Sequence, residues 1–508
     1  MAIVMGDTAA SYWQRVTLMQ SLKGAGSFNP WDFENMLESY YLNNGLYDQV
    51  QASLYENAIW TEGMKPLRNP AHRVVEFHAS HLWPGAIEKA LPLVAGKDMI
   101  IPAIQQIWKW SNWAAKKQLA ARWLSEFGTM LIKVPTKSDK DGVVKSVTFQ
   151  LLKPQIVTEL QSDDRDYITF IRIDTPVERK DDDGMQMKTR TEVWDKQSGT
   201  YKVYEHKKGR ATLIPDLGEP VKQKTFDELG IDFIPIAHAK FQDIGEKRGL
   251  GAFVHALDKI DEANRAATRL HQILFRYNKP TKAISANGMD ANGKPLPPPR
   301  LTDSEGNLLG SGEDVDTGDD DDIVSLPGMA KMEYLIPNIN YDAALKILQD
   351  QMSELEEDLP EMAYYRLKAD SNISGRALRM KVSGAIDRCL DARGNAEAAL
   401  ERADQMALTI GKVHELDGFK DIGDFESGDF DHSFAERDVI PFDKQEQADI
   451  FKTYRDANMP LASAAKKAGF TQTEIDEILK DEDAAREKEQ GSLGQVLLEM
   501  QRRQDQGK

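Results

Sequence analysis

The chain has 508 residues, with 82 acidic against 64 basic side chains, so its formal net charge is −18. That length can bury a sizeable core over several domains, and a single cysteine, Cys389, excludes a disulfide framework and any cysteine-built metal cluster. No run of about 18 apolar residues could cross a membrane, no signal peptide is expected in MAIVMGDTAASYWQRV, and the negative balance excludes a protein that grips nucleic acid over its whole surface, though not one that lets nucleic acid slide past.

Residues 1–128 read as helical. Pro102–Phe127 opens with proline and carries Ile104, Ile107, Trp108, Ala115, Leu119, Trp123 and Phe127 at steps of three and four, which trace one helix face. Trp108, Trp110 and Trp113 could stack bases, but a bulky aromatic set packing a helical layer is the stronger reading. From 129 to 241 the pattern changes to short runs rich in Val, Ile, Thr and Tyr: MLIKV, VKSVTFQLL, YITFIRID, RTEVWD, TYKVYEH and ATLIPDL. TEVWDKQSGTYKVYEHKKG is the clearest hairpin, with Ser198-Gly199 in its turn; Asp139–Gly142 and Asp181–Gly184 are two further turns.

Helix returns after Gly249. Phe253, Leu257, Ile260, Ala263, Ala267, Leu270, Leu274 and Tyr277 form a stripe along a rod of roughly 37 Å at ~1.5 Å per residue, ended by Asn278-Lys279-Pro280. NGMDANGKPLPPP is turn-rich, and Leu301–Ala330 holds nine acidic residues with no Lys or Arg, including Asp319, Asp320, Asp321 and Asp322. This stretch reads as a solvated loop, followed by a short strand, MEYLIP. Asn340–Leu359 is a second amphipathic helix with Ala344, Ile347, Leu348, Met352 and Leu355 on its stripe, stopped by Pro360. A linker, PEMAYYRLKADSNIS, leads to a long helix from Gly375 to about Lys412, in which Cys389 reads as a small buried hydrophobe. The last hundred residues read as a strand (FDHSFAERDVI), a helix opened by Pro441-Phe442-Asp443, and NMPLASAAKKAGFTQTEIDEILK as helix, glycine turn, helix. Thr471 and Glu474 would form a capping box there, ahead of a charged tail from Asp481.

Enzyme signals fail one by one. Gly288-Met-Asp-Ala-Asn-Gly293-Lys294 has phosphate-loop spacing, but Pro295 replaces the magnesium-binding hydroxyl and LPPP cannot open a helix. Gly249-Leu250-Gly251 lacks the third glycine of a dinucleotide fingerprint, with Val254 in its place. Asp314-Val-Asp316-Thr-Gly318 has its glycine one place early for a calcium loop, and Ser325 stands where the bidentate Glu belongs. His78 and His81 are three apart with no third ligand. No catalytic residue, metal site or cofactor is expected.

Two amphipathic helices bracketing an excursion of about 60 residues would pack antiparallel as a stalk. Here the sequence resembles the portal proteins of tailed double-stranded DNA bacteriophages. The resemblance lies in Phe233-Ile234-Pro235-Ile236-Ala237-His238 ahead of Gly249-Leu250-Gly251 and the helix ending DEANRAATRLHQ, in Ser374-Gly375-Arg376-Ala377-Leu378, in FDHSFAERDVIPFD leading to AGFTQTEIDEILKD, and in the hairpin TEVWDKQSGTYKVYEH. It spans roughly residues 130–490; the acidic, proline-bearing excursion and the Trp-rich N-terminal region depart from it.

The resemblance implies an α+β fold, mainly α. A wing would comprise 1–252 (helical 1–128, β-rich 129–248), with stem helices at 253–278 and 340–359, an irregular clip at 279–339 and a tunnel loop at 360–374. A long wing helix and returning strand would occupy 375–441, and a crown with a charged tail 442–508. It implies a homo-oligomeric ring of about twelve subunits at one capsid vertex, assembled in the host cytoplasm, through which double-stranded DNA slides without sequence specificity. The implied partners are the terminase large subunit, the major capsid and scaffolding proteins and the head-completion or adaptor proteins, with no membrane. Arg366 and Lys368, with Tyr364 and Tyr365 beside them, are the candidate DNA-channel residues. Asp319–Asp322 are the candidate docking residues of the clip, and Leu257, Ile260, Leu270, Leu274, Ile347 and Leu348 would pack the stem ring. Two other readings compete: a scaffold or adaptor acting as monomer or dimer, and a nuclease holding magnesium on Asp319–Asp322, which sits in a loop where catalysis needs rigid carboxylates.

Overall fold

The computed structural model describes residues 30–42, 69–181, 184–207, 212–278, 281–286, 330–335, 341–368, 375–440, 444–470 and 474–484. The fold is α+β and mainly α. The chain divides into two units. One gathers Asn69–Leu257 and Leu355 onward with the N-terminal helix, and the other is built on Asp258–Glu354.

The helical layer of the first unit comprises α1 (Pro30–Leu42), α2 (Ala71–His81), α3 (Ile87–Ala90), α4 (Ile100–Ser111) and α5 (Trp113–Phe127). The single helix expected over 102–127 is in fact two, because Asn112 takes the left-handed conformation (φ 52°), which Asn tolerates. Trp108 and Trp113 on either side of that break are both buried. Trp113 packs on Trp83 and edge-on to Phe149, and Trp110 stacks on Phe419 at 5.8 Å. The tryptophans are packing residues, as their spacing suggested.

Two antiparallel sheets follow. β2 (Thr129–Lys133) lies between β11 (Ile236–Lys240) and β5 (Gln150–Leu152), and a hairpin, β3 (Thr136–Ser138) and β4 (Val144–Val147), turns at Asp139–Gly142. The five-stranded sheet runs in the order β10 (Lys222–Thr225), β9 (Thr200–His206), β8 (Gly184–Asp195), β7 (Ile168–Asp181), β6 (Val157–Ser162). Its register closes the expected hairpin at Asp195↔Thr200, with Gly199 at φ 60°. Leu131, Leu152, Ile171, Ile173, Trp194 and Ile236 join the sheets in one core. ATLIPDL is not a strand: Ile214–Leu217 is a 3₁₀ turn, since Pro215 has no amide to donate to a ladder. The sequence also missed α6 (Phe226–Leu229), four residues closed by a Thr225/Glu228 capping box.

The long helix expected from Gly375 breaks at Val382 (φ −108°, ψ 20°) into α10 (Gly375–Lys381) and α11 (Ser383–Val413). α11 packs on α4, β2 and β11 through small buried residues, among them Ala392, Ala396 and Ala403. Cys389 lies in this face, and burial pushes its thiol up to about 12, so it is a hydrophobe and not a nucleophile. The returning strand is β14 (His432–Phe434), and it pairs with β1 (Leu93–Ala95), an extended piece within the helical layer. Buried Asp404 ties these parts together, accepting from Trp108 Nε1 at 2.9 Å and His432 Nε2 at 3.3 Å. α12 (Lys444–Asp456) and α13 (Leu461–Lys467) precede a final helix over residues 474–484, with Gly469 (φ 83°) in the turn. Pro441–Asp443 and Thr471 lie outside the described residues.

Gly249-Leu250-Gly251 owes its glycines to a backbone crossing. A Cβ on Gly249 would meet the Gly128 carbonyl oxygen at 2.2 Å, and one on Gly251 would meet the Glu126 carbonyl oxygen at 2.7 Å. Ala252 N–H donates to Ser125 at 2.8 Å, locking the approach.

The second unit carries most of α7 (Leu257–Asn278), β12 (Thr281–Ala286), β13 (Ala330–Leu335) and most of α8 (Tyr341–Asp358). β13 is the expected strand; its antiparallel partner β12, from Thr281↔Leu335 to Ala286↔Ala330, was not foreseen. Residues 287–329, with Gly288–Pro295, Asp314–Gly318 and Asp319–Asp322, lie outside the described residues.

Candidate functional site: the segment after α8 and the paired helices

Residues 360–374 were expected to form a loop. Glu361–Lys368 is instead a helix, α9, and residues 369–374 lie outside the described residues. Pro360 stops α8 and its fixed φ suits a first helical turn, while EMAYYRLK contains no glycine or β-branched residue to disfavour helix.

Histidines hold α9 at two points and the turn before it at a third. Glu361 is fully buried, with its carboxylate 2.8 Å from His78 Nε2 of α2 and 2.8 Å from Arg388 Nη1 of α11. His255 Nε2 lies 2.9 Å from the Asp358 carbonyl oxygen just before α9, and His81 Nε2 lies 3.3 Å from the Tyr364 hydroxyl. Burial alone would raise the Glu361 carboxyl, but the hydrogen bond from His78 and the charge of Arg388 outweigh it, so the group is held below the ordinary carboxylate value. Burial pushes His78 below the ordinary imidazole value. Both histidines of α2 are engaged by α9.

The four residues expected to face DNA divide accordingly. Tyr364 is buried edge-on against Phe77 at 5.2 Å, and Tyr365 is half-buried against it. Arg366 is exposed and ion-paired with Glu356 at the end of α8. Lys368 ends α9, and its side chain lies outside the described residues. Basic residues just past the loop were missed: α10 contacts α9 and carries Arg379 and Lys381. Net charge could have found them. Arg366–Arg388 has six basic residues (366, 368, 376, 379, 381, 388) against two acidic (370, 387), a balance of +4 in a chain of −18.

Of the stripe residues, Leu257, Ile260, Leu270 and Leu348 are buried. Leu270 and Leu348 cluster with Ala267, so they pair the chain's own two helices. Ile347 is 58% exposed, with Leu345 also exposed on α8. The Leu274 side chain lies outside the described residues.

His238 on β11 is buried with no hydrogen-bond partner on either ring nitrogen among the described residues, and burial pushes it down to about 4. The unfolded chain therefore binds the extra proton between pH 6.5 and 4, and stability is lost as pH falls through that window, by on the order of 3 kcal/mol from this group. His238→Leu removes both the titration and two unsatisfied nitrogens. Its denaturation midpoint should match or exceed wild type at neutral pH and exceed it further near pH 5. A variant equally destabilised at both pH values would contradict this.

A family model described as phage portal protein, SPP1 Gp6-like, matches residues 95–488. Among solved structures, the chain is similar to one in "Neck of native GTA particle computed with C12 symmetry", at 11% identity and TM-score 0.41 over 79% of this chain and 89% of that one. It is also similar to one in "Virion of native gene transfer agent (GTA) particle", at 13% identity and TM-score 0.38 over 78% and 87%. No curated relative matches it.

Proposed function

The chain belongs to the SPP1 Gp6-like family of phage portal proteins, and from that premise we propose that it forms a ring of about twelve copies at one capsid vertex, the conduit for double-stranded DNA during packaging and ejection. The family match over residues 95–488 carries this reading. Ile347 and Leu345 on α8 are the apolar positions offered to a neighbouring copy, while Leu270 and Leu348 hold each copy's two helices together. A subunit of net charge −18, repeated around the ring, repels phosphate and lets DNA slide. The terminase large subunit and later the head-completion proteins would dock at the excursion with Asp319–Asp322, and the scaffolding and major capsid proteins at the helical and β-rich layers. Mass measurement and negative-stain imaging of purified protein test the ring: a toroid near twelve times 57.1 kDa is expected, and a monomer or dimer with no central hole would overturn it.

Within the conduit, Arg366, with the basic residues of α10, would make transient phosphate contacts. Arg366→Glu also places a carboxylate beside Glu356, at an exposed site where folding changes little. The variant should form rings of unchanged mass and lower the yield of packaged DNA by about tenfold. Wild-type yield would remove Arg366 from the mechanism.

A further inference from the structure

We propose that His78, Glu361 and Arg388 form a proton-sensitive latch that sets whether α9 is docked, and with it the placement of Arg366. The inference deepens the conduit reading, on which its consequence for DNA rests; the latch itself is a property of the single chain.

In the docked state the neutral His78 ring donates from Nε2 to Glu361 Oε1 at 2.8 Å. Its other nitrogen, Nδ1, has no hydrogen-bond partner among the described residues. The ring sits edge-on to Phe77 at 5.3 Å and to Phe241 at 4.9 Å, and neither can accept a strong hydrogen bond. Of the groups that face it, Glu361 comes from α9 and Arg388 from α11. Arg388 carries a full positive charge, also shared with the Ala252 carbonyl oxygen. Nearby, His81 holds the Tyr364 hydroxyl and His255 the Asp358 carbonyl.

A neutral His78, an ionised Glu361 and a cationic Arg388 sum to zero charge in a closed site. A proton taken from solvent onto Nδ1 leaves a buried N–H with nothing to donate to, and places a second cation beside Arg388. Attraction to Glu361 offsets part of that cost, yet burial prevails and holds the imidazole below its ordinary 6.5. With α9 undocked, water solvates the ring and the penalty disappears. Protons therefore bind the undocked state more tightly, and acidification below about pH 6.5 must favour it. Each unit by which docking depresses the imidazole makes undocking about tenfold easier on the acid side.

Hydrogen exchange on the full-length purified chain tests this through peptides covering residues 358–368, at about pH 7.5 and pH 5.5 after correction for the intrinsic rate. Protection in wild type should fall about tenfold at the lower pH, while peptides of α12 and α13 change little. In His78→Gln, whose amide still donates to Glu361 but cannot titrate, the pH effect on residues 358–368 should shrink to about twofold or less. Unchanged wild-type protection, or a pH effect of equal size in His78→Gln, would overturn the latch. Should His78→Gln not fold, His255→Gln takes its place, because burial also holds His255 below its ordinary value against the Asp358 carbonyl: a selective acid loss at 358–368 that persists in His255→Gln supports the latch, and a uniform loss across the chain, or one abolished in His255→Gln, overturns it. Particle mass, read in parallel, reports on the ring, so a failed ring with intact pH-dependent exchange would sink the conduit reading and leave the latch.

Discussion

Gly128→Ala is expected to lower stability by about 4 kcal/mol, most of the roughly 5 kcal/mol that holds a domain at the low end of ordinary stability. Two costs add. Gly128 sits at φ 75°, where a Cβ costs about 1–2 kcal/mol. The new Cβ would also lie 2.3 Å from the Gly249 carbonyl oxygen and 2.6 Å from the Gly251 amide nitrogen. Those atoms are backbone, held by hydrogen bonds on both sides of the crossing, and cannot swing aside as a side chain would. Gly142→Ala is the control, because it has a similar φ of 81° and no atom within 4 Å of the added carbon; it should cost only about 1–2 kcal/mol. Denaturant midpoints at one fixed protein concentration would report both, since self-association would otherwise shift them. Equal losses in the two variants would show that strain alone operates and that the crossing yields.

Glu361→Ala is expected to cost about 3 kcal/mol, toward the lower end for breaking a buried ion pair because Arg388 keeps some solvent access. It leaves the His78 Nε2–H without its acceptor and Arg388 without its counter-charge. Glu361→Gln should cost roughly half as much, since an amide oxygen still accepts from His78. Adding Arg388→Met to Glu361→Ala should recover about 1 kcal/mol or more, because the stranded guanidinium is then gone. A Glu361→Ala midpoint indistinguishable from wild type would mean that the carboxylate is solvated and α9 undocked in solution.

Sequence alone settled the elements whose signal is local. The two long amphipathic stripes, the Asp195–Thr200 hairpin, the strand before α8 and the glycine-turned helices at the end all follow from spacing that a few neighbouring residues display. The family was legible for the same reason, in short motifs read in order. The breaks at Asn112 and Val382 were less accessible, because a helix face continues across a kink when both halves bury against one core.

What depended on partners distant in the chain could be decided only by the tertiary structure. Glu361 read as a charged residue in a linker, and its role required His78, 283 positions earlier, and Arg388, 27 later. Gly249-Leu250-Gly251 read as an incomplete dinucleotide fingerprint until Gly128 was seen crossing it. β1 had too few residues to register until β14 returned to pair with it. Periodicity records which side of an element avoids water, since that preference acts on each residue separately. Which buried charge meets which, and which backbones touch, is set by chain closure over hundreds of residues, and no local pattern carries that information.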